Sequence, residues 1–407
     1  MKKLLVIVLF LVAPVANAYE YQIEKPVLES ISTPGHESIT SLALDCLHNS
    51  VTSGQKPSGC LTGTQQIKAY KSDHQLVVPT IAPQKITADE LMDVSSWPDD
   101  PTRLSGNVGA IINLFQACND FWSFLGFKNP YETISGGLAC NSHFGLLQFF
   151  HAQASSTDEP YLSTKNKVLS WIKFNYSIVR DASLLSEPYC RYFDTLKEDS
   201  GAYEMASAFL PDDHQDLEQC QNNYTLNWIY NSSCKTLASD ECESIEDTRK
   251  AQITALGAII HVIQDSYSQS HNQRGSCADK ENKQPVSKIS CLPIEQYYTY
   301  NAQDAGKHND SDVLPIAVDA SCQTATEAKL PIDDAVTATA RVLWYAAQGE
   351  QTNVLMAYLN RAVFTDPYVY AVDQSRPESA AGMCYLPVTA NGNVNNQTDF
   401  QQQLMGQ

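Results

Sequence analysis

One string of ionisable side chains interrupts an otherwise apolar stretch of the chain. In Leu256-Gly257-Ala258-Ile259-Ile260-His261-Val262-Ile263-Gln264-Asp265, followed by His271, an imidazole and a carboxylate stand four residues apart. On an α-helix this spacing puts both on one face, a turn apart, where they can reach a common cation. His271 lies six residues beyond Asp265, so the polar Ser266-Tyr267-Ser268-Gln269-Ser270 stretch must turn to bring it back. Burying such groups is costly unless they are paired or bind metal. A hydrogen-bonded Asp–His pair at a helix end would account for His261 and Asp265 alone. His308 and Asp312 repeat the spacing, in a segment without the Gly and terminal Glu of a calcium loop. Three further segments offer ligand-type side chains: His36 in Pro34-Gly35-His36-Glu37, Asp99 two residues after Trp97, and His143 in Asn141-Ser142-His143-Phe144. Imidazole nitrogen and carboxylate oxygen are the donors that suit Zn2+.

In chain order, His36, Trp97-x-Asp99, His143, His261-x3-Asp265-x5-His271 and His308-x3-Asp312 resemble the motifs of the bacterial zinc metallophospholipases C and the S1/P1 nucleases. The resemblance runs from about residue 30 to 348 and implies their shared all-α fold. It implies that Asp99, His143, His261 and Asp265 hold a first zinc ion, and that His271, His308 and Asp312 hold a second. His36 and Asp265 would hold a third, with Asp265 bridging and the backbone of Tyr19 completing the set. The cofactor would be Zn2+, roughly two to three ions per chain. Asp99 would be the catalytic group that orients or deprotonates the attacking water. Tyr19 stands where the family usually has Trp, and Gln269 where it usually has Pro. The wording around His143 and Asp265 is closer to the phospholipases, which cut the glycerol–phosphate ester of phosphatidylcholine-like lipids. The alternatives are a P1-type single-strand nuclease on the same metal core, and a non-catalytic, zinc-stabilised secreted binding protein. His151, eight residues after His143 on the same apolar stretch, is either a hydrogen-bond partner of a metal ligand or, the favoured reading, a satisfied core histidine, so His151→Ala is expected to keep most activity.

The elements that would carry these groups are helical. Apolar residues recur at steps of three and four over residues 38–49, 144–154, 165–181, 248–264 and 332–348. Strand-like alternation is scarce and short. Long polar stretches at 50–85, 190–245 and 272–330 separate the helices, and the cysteines cluster in or beside them. The expectation is an all-α phospholipase C/P1 nuclease-like domain with long, disulfide-stapled loops.

Residues 1–18 read as a signal peptide: Lys2 and Lys3, an apolar run, then Ala16-Asn17-Ala18. The expected organisation is that segment, a phosphodiesterase domain over 19–348 and a C-terminal extension over 349–407, in a secreted protein. Twelve cysteines and no C-x-x-C fit loop staples rather than a zinc ribbon. The sequence-local pairs are Cys46–Cys60, Cys118–Cys140 and Cys277–Cys291. A formal net charge of −19 disfavours broad contact with nucleic acid or an anionic surface. The resemblance implies a phospholipid partner met transiently at a membrane; no stable nucleic-acid partner and a monomeric enzyme are expected.

Overall fold

The computed structural model describes residues 35–61, 64–81, 85–99, 101, 138, 141–143, 145–210, 224–234, 242–244, 246–274, 293–300, 316–319 and 332–365. These are mostly helical. The helices are α1 (Gly35–Thr52), α2 (Ala88–Ser95), α3 (Tyr161–Arg180), α4 (Tyr189–Leu196), α5 (Tyr203–Phe209), α6 (Asn227–Asn231), α7 (Thr248–Asp265), α8 (Ala335–Ala347) and α9 (Thr352–Ala362). The described strands form separate two-stranded antiparallel ribbons, for example Thr64–Ile67 with Ile316–Asp319 and Asn272–Arg274 with Ile294–Tyr297.

The core is built around α7. Every residue of this helix from Ala251 to Asp265 is buried, which is the pattern of a helix surrounded on all sides. It packs on α3, α2, α6 and α8, while α1 packs on α8 and α2. Its first turn is set by Asp247, whose side chain accepts from the Lys250 amide. Arg249 reaches across to Glu90 at 2.6 Å. Glu90 also closes a capping box with Thr87 at the start of α2. One charged pair thus ties the beginnings of α2 and α7 together.

Gly257 permits the closest approach between these two helices. A Cβ there would lie 2.2 Å from the Val94 carbonyl oxygen and 2.6 Å from the Val94 Cβ. Gly257, His261 and Asp265 follow one another at four-residue steps, so the glycine lies on the stripe that carries the ionisable groups. Letting α2 in at Gly257 brings the Ser95 carbonyl and the Trp97–Asp99 turn down onto that stripe.

Two sequence expectations are corrected here. Residues 144–154 do not form one helix. A 3-10 turn spans Gln148–His151 and ends at Ala152, whose φ of 51° is left-handed. Gln148 Nε2 donates to the carbonyls of Gly145 and Ser155, folding the segment back on itself. Phe149 and Phe150 drive this turn into the core, and Phe150 stacks on Trp171 at 4.1 Å. The polar stretch 190–245 also holds more structure than its composition suggests, because α4 runs into it and α5 and α6 lie within it. The aromatic anchors of α4 and α5 stack, with Phe193 and Phe209 4.3 Å apart.

The disulfide Cys46–Cys60 forms as expected and joins α1 to the loop after it. The pairs Cys118–Cys140 and Cys277–Cys291 lie outside the described residues, as does the segment 1–18. Beyond residue 348, α9 places Leu355, Tyr358, Leu359 and Ala362 in the same hydrophobic core as α3 and α8.

Gly257→Ala is expected to destabilise the protein. Ala gains about 1 kcal/mol of helix propensity over Gly, but forcing a methyl against Val94 costs roughly 1–3 kcal/mol. A lower urea midpoint at unchanged slope is the expected result. An equal or higher midpoint would mean that α2 does not sit this close.

Candidate metal centre

Four separate segments converge at the C-terminal end of α7. His36 comes from the first turn of α1, Asp99 from the turn after α2, and His151 from the 3-10 turn before α3. His261 and Asp265 lie on α7 itself, and His271 follows in the loop. Trp97 holds the Asp99 turn in place by packing 5.7 Å from the Tyr230 ring and 6.2 Å from Phe150. His271 is brought back by Arg274, whose guanidinium donates to the Ser266 carbonyl at 2.7 Å and to the Val363 carbonyl at 3.0 Å.

Asp265 sits at the centre. Its Oδ2 lies 2.9 Å from His261 Nε2, 3.1 Å from His151 Nδ1 and 3.7 Å from His271 Nδ1. Its Oδ1 faces the other way, 3.4 Å from His36 Nε2. Asp99 joins both groups. One of its oxygens is 3.7 Å from His151 Nδ1 and from His261 Nε2, and the other is 3.8 Å from His36 Nε2. Three sets of donors lie close enough to hold an ion: His36, Asp99 and His261; Asp99, His143 and His151; and His151, His261 and Asp265.

The hydrogen bonds around the rings decide which nitrogens face the cluster. A backbone carbonyl can only accept. His261 Nδ1 lies 2.8 Å from the Ser95 carbonyl and His271 Nδ1 lies 2.7 Å from the His151 carbonyl. Both Nδ1 atoms therefore carry the hydrogen, and both Nε2 atoms carry the lone pair. This is the arrangement that fixes and enriches imidazole ligands of a metal. The fit to a cation is supported by two orphaned atoms: Asp265 Oδ1 and His151 Nε2 are buried without a hydrogen-bond partner. Buried polar atoms normally find one.

Electrostatics points the same way. Burial pushes the His151 and His261 imidazoles down, to about 3 and about 4, so both are neutral and able to donate a lone pair. For Asp265, burial works to raise the pKa, but the His261, His271 and His151 imidazoles gathered round the carboxylate hold it well below the usual carboxylate range. His36 is lowered by burial, yet Asp265 and Gln264 more than offset this and leave it raised. Burial lifts Glu37 to about 7.

Of the residues expected from sequence, His36, Asp99, His143, His261, Asp265 and His271 are brought together. Tyr19, His308 and Asp312 lie outside the described residues. His151 is where the less favoured sequence reading fits better: it is buried, as a core histidine is, but it lies against Asp265, His261 and Asp99, its ring 4.9 Å from that of His261. Read as a helix over 144–154, the segment gives His151 no reason to meet Asp265; the turn at Ala152 does. His143 stands further out, its ring 4.7 Å from His151 and edge-on to Tyr300 at 5.3 Å. Its Nδ1 lies 3.1 Å from the Ser142 hydroxyl.

The metal-free protein should unfold more easily in acid. Unfolded His151 and His261 take up protons below about pH 6.5, which the native rings refuse until about 3 and about 4 respectively. Their contribution to stability is present above about pH 6.5 and is lost as pH falls. His36 and Glu37, with raised values, act in the opposite sense as pH falls from about 7, and the His36 gain is complete once the unfolded ring is protonated below about pH 6.5. At lower pH the two buried imidazoles continue to lose stability, so the net expectation is a lower urea midpoint at about pH 4 than at about pH 5 in chelator-treated protein. A midpoint that rises on acidification would show that the two imidazoles are not buried neutral.

No family model, no curated protein and no solved structure matches this chain.

Proposed function

We propose that the chain is a secreted zinc-dependent phosphodiesterase of the phospholipase C kind, hydrolysing the glycerol–phosphate ester of phosphatidylcholine-like lipids. The observation that carries this reading is the Asp265 carboxylate, buried between His36 on one side and His151 and His261 on the other. Nitrogen and carboxylate donors of this kind suit zinc. Such ions, when bound, supply positive charge to a phosphoryl group and make water reactive near neutral pH.

The side chains have separable tasks. Asp265 offers one oxygen to each donor group. His151 and His261 hold the first group together, and His271, with His308 and Asp312, would form another. Asp99 is 7% exposed, whereas His36, His151, His261, Asp265 and His271 are each 0% exposed. Water therefore meets Asp99 first. Asp99 takes a proton from the water whose oxygen bonds to phosphorus, the bond from phosphorus to the glycerol oxygen breaks, and diacylglycerol leaves with a proton from solvent.

The net charge of −19 disfavours a polyanionic substrate. Leu146, 44% exposed, lies in the chain between His143 and His151 and offers an apolar side chain suited to lipid. The Cys46–Cys60 bond fits an oxidising compartment. Among the described residues no helix is long and apolar enough to cross a membrane. The enzyme would meet its substrate at a membrane surface, as a monomer.

The test is hydrolysis of a chromogenic phosphocholine ester beside single-stranded DNA, with and without chelator. Cleavage of the ester, lost on chelation and restored by Zn2+, is the expected result. Cleavage of DNA alone would make the protein a nuclease, and bound zinc with neither activity a binding protein. Within the same assay, Asp265→Asn should lose more zinc than any other single change, because two donor groups share its charge. His151→Ala should now lose activity by at least roughly tenfold to a hundredfold, the cost of disturbing even an outer partner of a metal ligand. Full zinc and full activity in His151→Ala would return it to a packing role.

A further inference from the structure

We propose that Gln264 is the positioning residue that fixes the tautomer and ring orientation of His36, and so sets the affinity of the His36, Asp99 and His261 donor group for its ion. The proposal rests on the metal-binding reading above. Gln264 precedes Asp265 on α7, faces α1 and is 0% exposed. Both ends of its amide are used. Oε1 lies 2.6 Å from His36 Nδ1, and Nε2 donates to the Thr40 hydroxyl at 3.0 Å. Thr40 is one turn after His36 on α1, so a single amide from α7 spans two successive positions of one helical face.

The direction of these bonds carries the argument. An amide oxygen only accepts, so the hydrogen between Gln264 and His36 resides on Nδ1. In the neutral ring, the form that can bind a metal, Nε2 then carries the lone pair, 3.4 Å from Asp265 Oδ1 and 3.8 Å from Asp99 Oδ2. The ring is also clamped flat against His261, centroids 4.0 Å apart and planes 26° apart. Turning it over would put Cδ2 where Nδ1 now lies and break the bond to Gln264. Thr40 in turn holds the amide: with its NH2 committed to the hydroxyl, its oxygen is left facing His36.

His36 differs in this from its neighbours. The Nδ1 atoms of His261 and His271 are held by backbone carbonyls, which no side-chain replacement removes. The orientation of His36 is set by a side chain. It is therefore the ligand whose contribution can be tuned by one substitution outside the coordinating groups, and the His36, Asp99 and His261 group should respond while the group of His151, His261 and Asp265 keeps its affinity.

The experiment titrates Zn2+ into metal-free full-length protein, by calorimetry with a competing chelator, for wild type and three variants. Gln264→Met keeps the length and removes the acceptor. Gln264→Glu restores an acceptor for Nδ1–H. Thr40→Val removes the partner that orients the amide. Gln264→Met should weaken one zinc equivalent by about tenfold to a hundredfold and leave any other equivalent unchanged. Gln264→Glu should recover most of that loss, and Thr40→Val should show a smaller loss at the same equivalent. In parallel, nitrogen-15 NMR of the imidazoles in wild-type protein should find the His36 hydrogen on Nδ1. An unchanged isotherm for Gln264→Met, or the hydrogen on Nε2, overturns the proposal. If Gln264→Met does not fold, the NMR assignment on wild type decides alone. Wild-type protein that binds no Zn2+ would instead sink the phosphodiesterase reading, while the NMR result would still decide whether Gln264 orients His36.

Discussion

A carboxylate buried at the wrong end of a helix is the constraint on which this structure turns. Asp265 is the last residue of α7, where the partial charge of the helix is negative and cations are favoured over anions. It is also fully buried. Both circumstances penalise its charge, and burial alone would be expected to neutralise it. It stays ionised because His36, His151, His261 and His271 are gathered round it. In water-free surroundings this balance is sharp: an uncompensated buried charge costs several kcal/mol. A bound divalent cation would answer the same need more strongly than neutral imidazoles can.

Much of the fold can be read as the means of gathering those rings. An apolar helix surrounded on all sides holds His261 and Asp265 in fixed register. Gly257 on the same stripe admits α2, and α2 delivers a backbone carbonyl to His261 and the Asp99 turn to Asp265. Phe149 and Phe150 sink into the aromatic cluster around Trp171 and drag His151 with them. Arg274 lies over the Tyr267 ring at 4.0 Å and ties the Ser266 carbonyl to the end of α9. The loop bearing His271 is thereby fastened to both α7 and the last described helix. Each ligand is placed by packing or backbone geometry some distance from the cluster, which is how a site keeps its shape when its own members repel or compete.

Local order was legible in the chain for a physical reason. The four-residue step from His261 to Asp265 places both on one face of any α-helix, and the apolar pattern around them marks that helix as buried. The positions of α1, α3, α7 and α8 follow from the same periodicity, with ends shifted by a few residues. Cys46 and Cys60 are near in sequence and pair as nearness suggests. His36, Asp99 and His271 could be named as candidates because each is a ligand-type residue in a setting that makes burial costly.

What the tertiary structure decided is everything that depends on convergence. His151 follows an apolar run and reads as core until Ala152 adopts a left-handed turn and Phe150 stacks on Trp171; only then does the ring face Asp265, 114 residues away in sequence. His143, the expected ligand, is brought beside it, in one donor set with Asp99 and His151. Gln264 gives no signal in sequence, since a glutamine beside an aspartate is ordinary on any helix. Its role exists because α1 lies across α7 at that turn and sets His36 and Thr40 against the two ends of one amide. Periodicity specifies which face a residue occupies, and side-chain packing between distant segments specifies what that face meets.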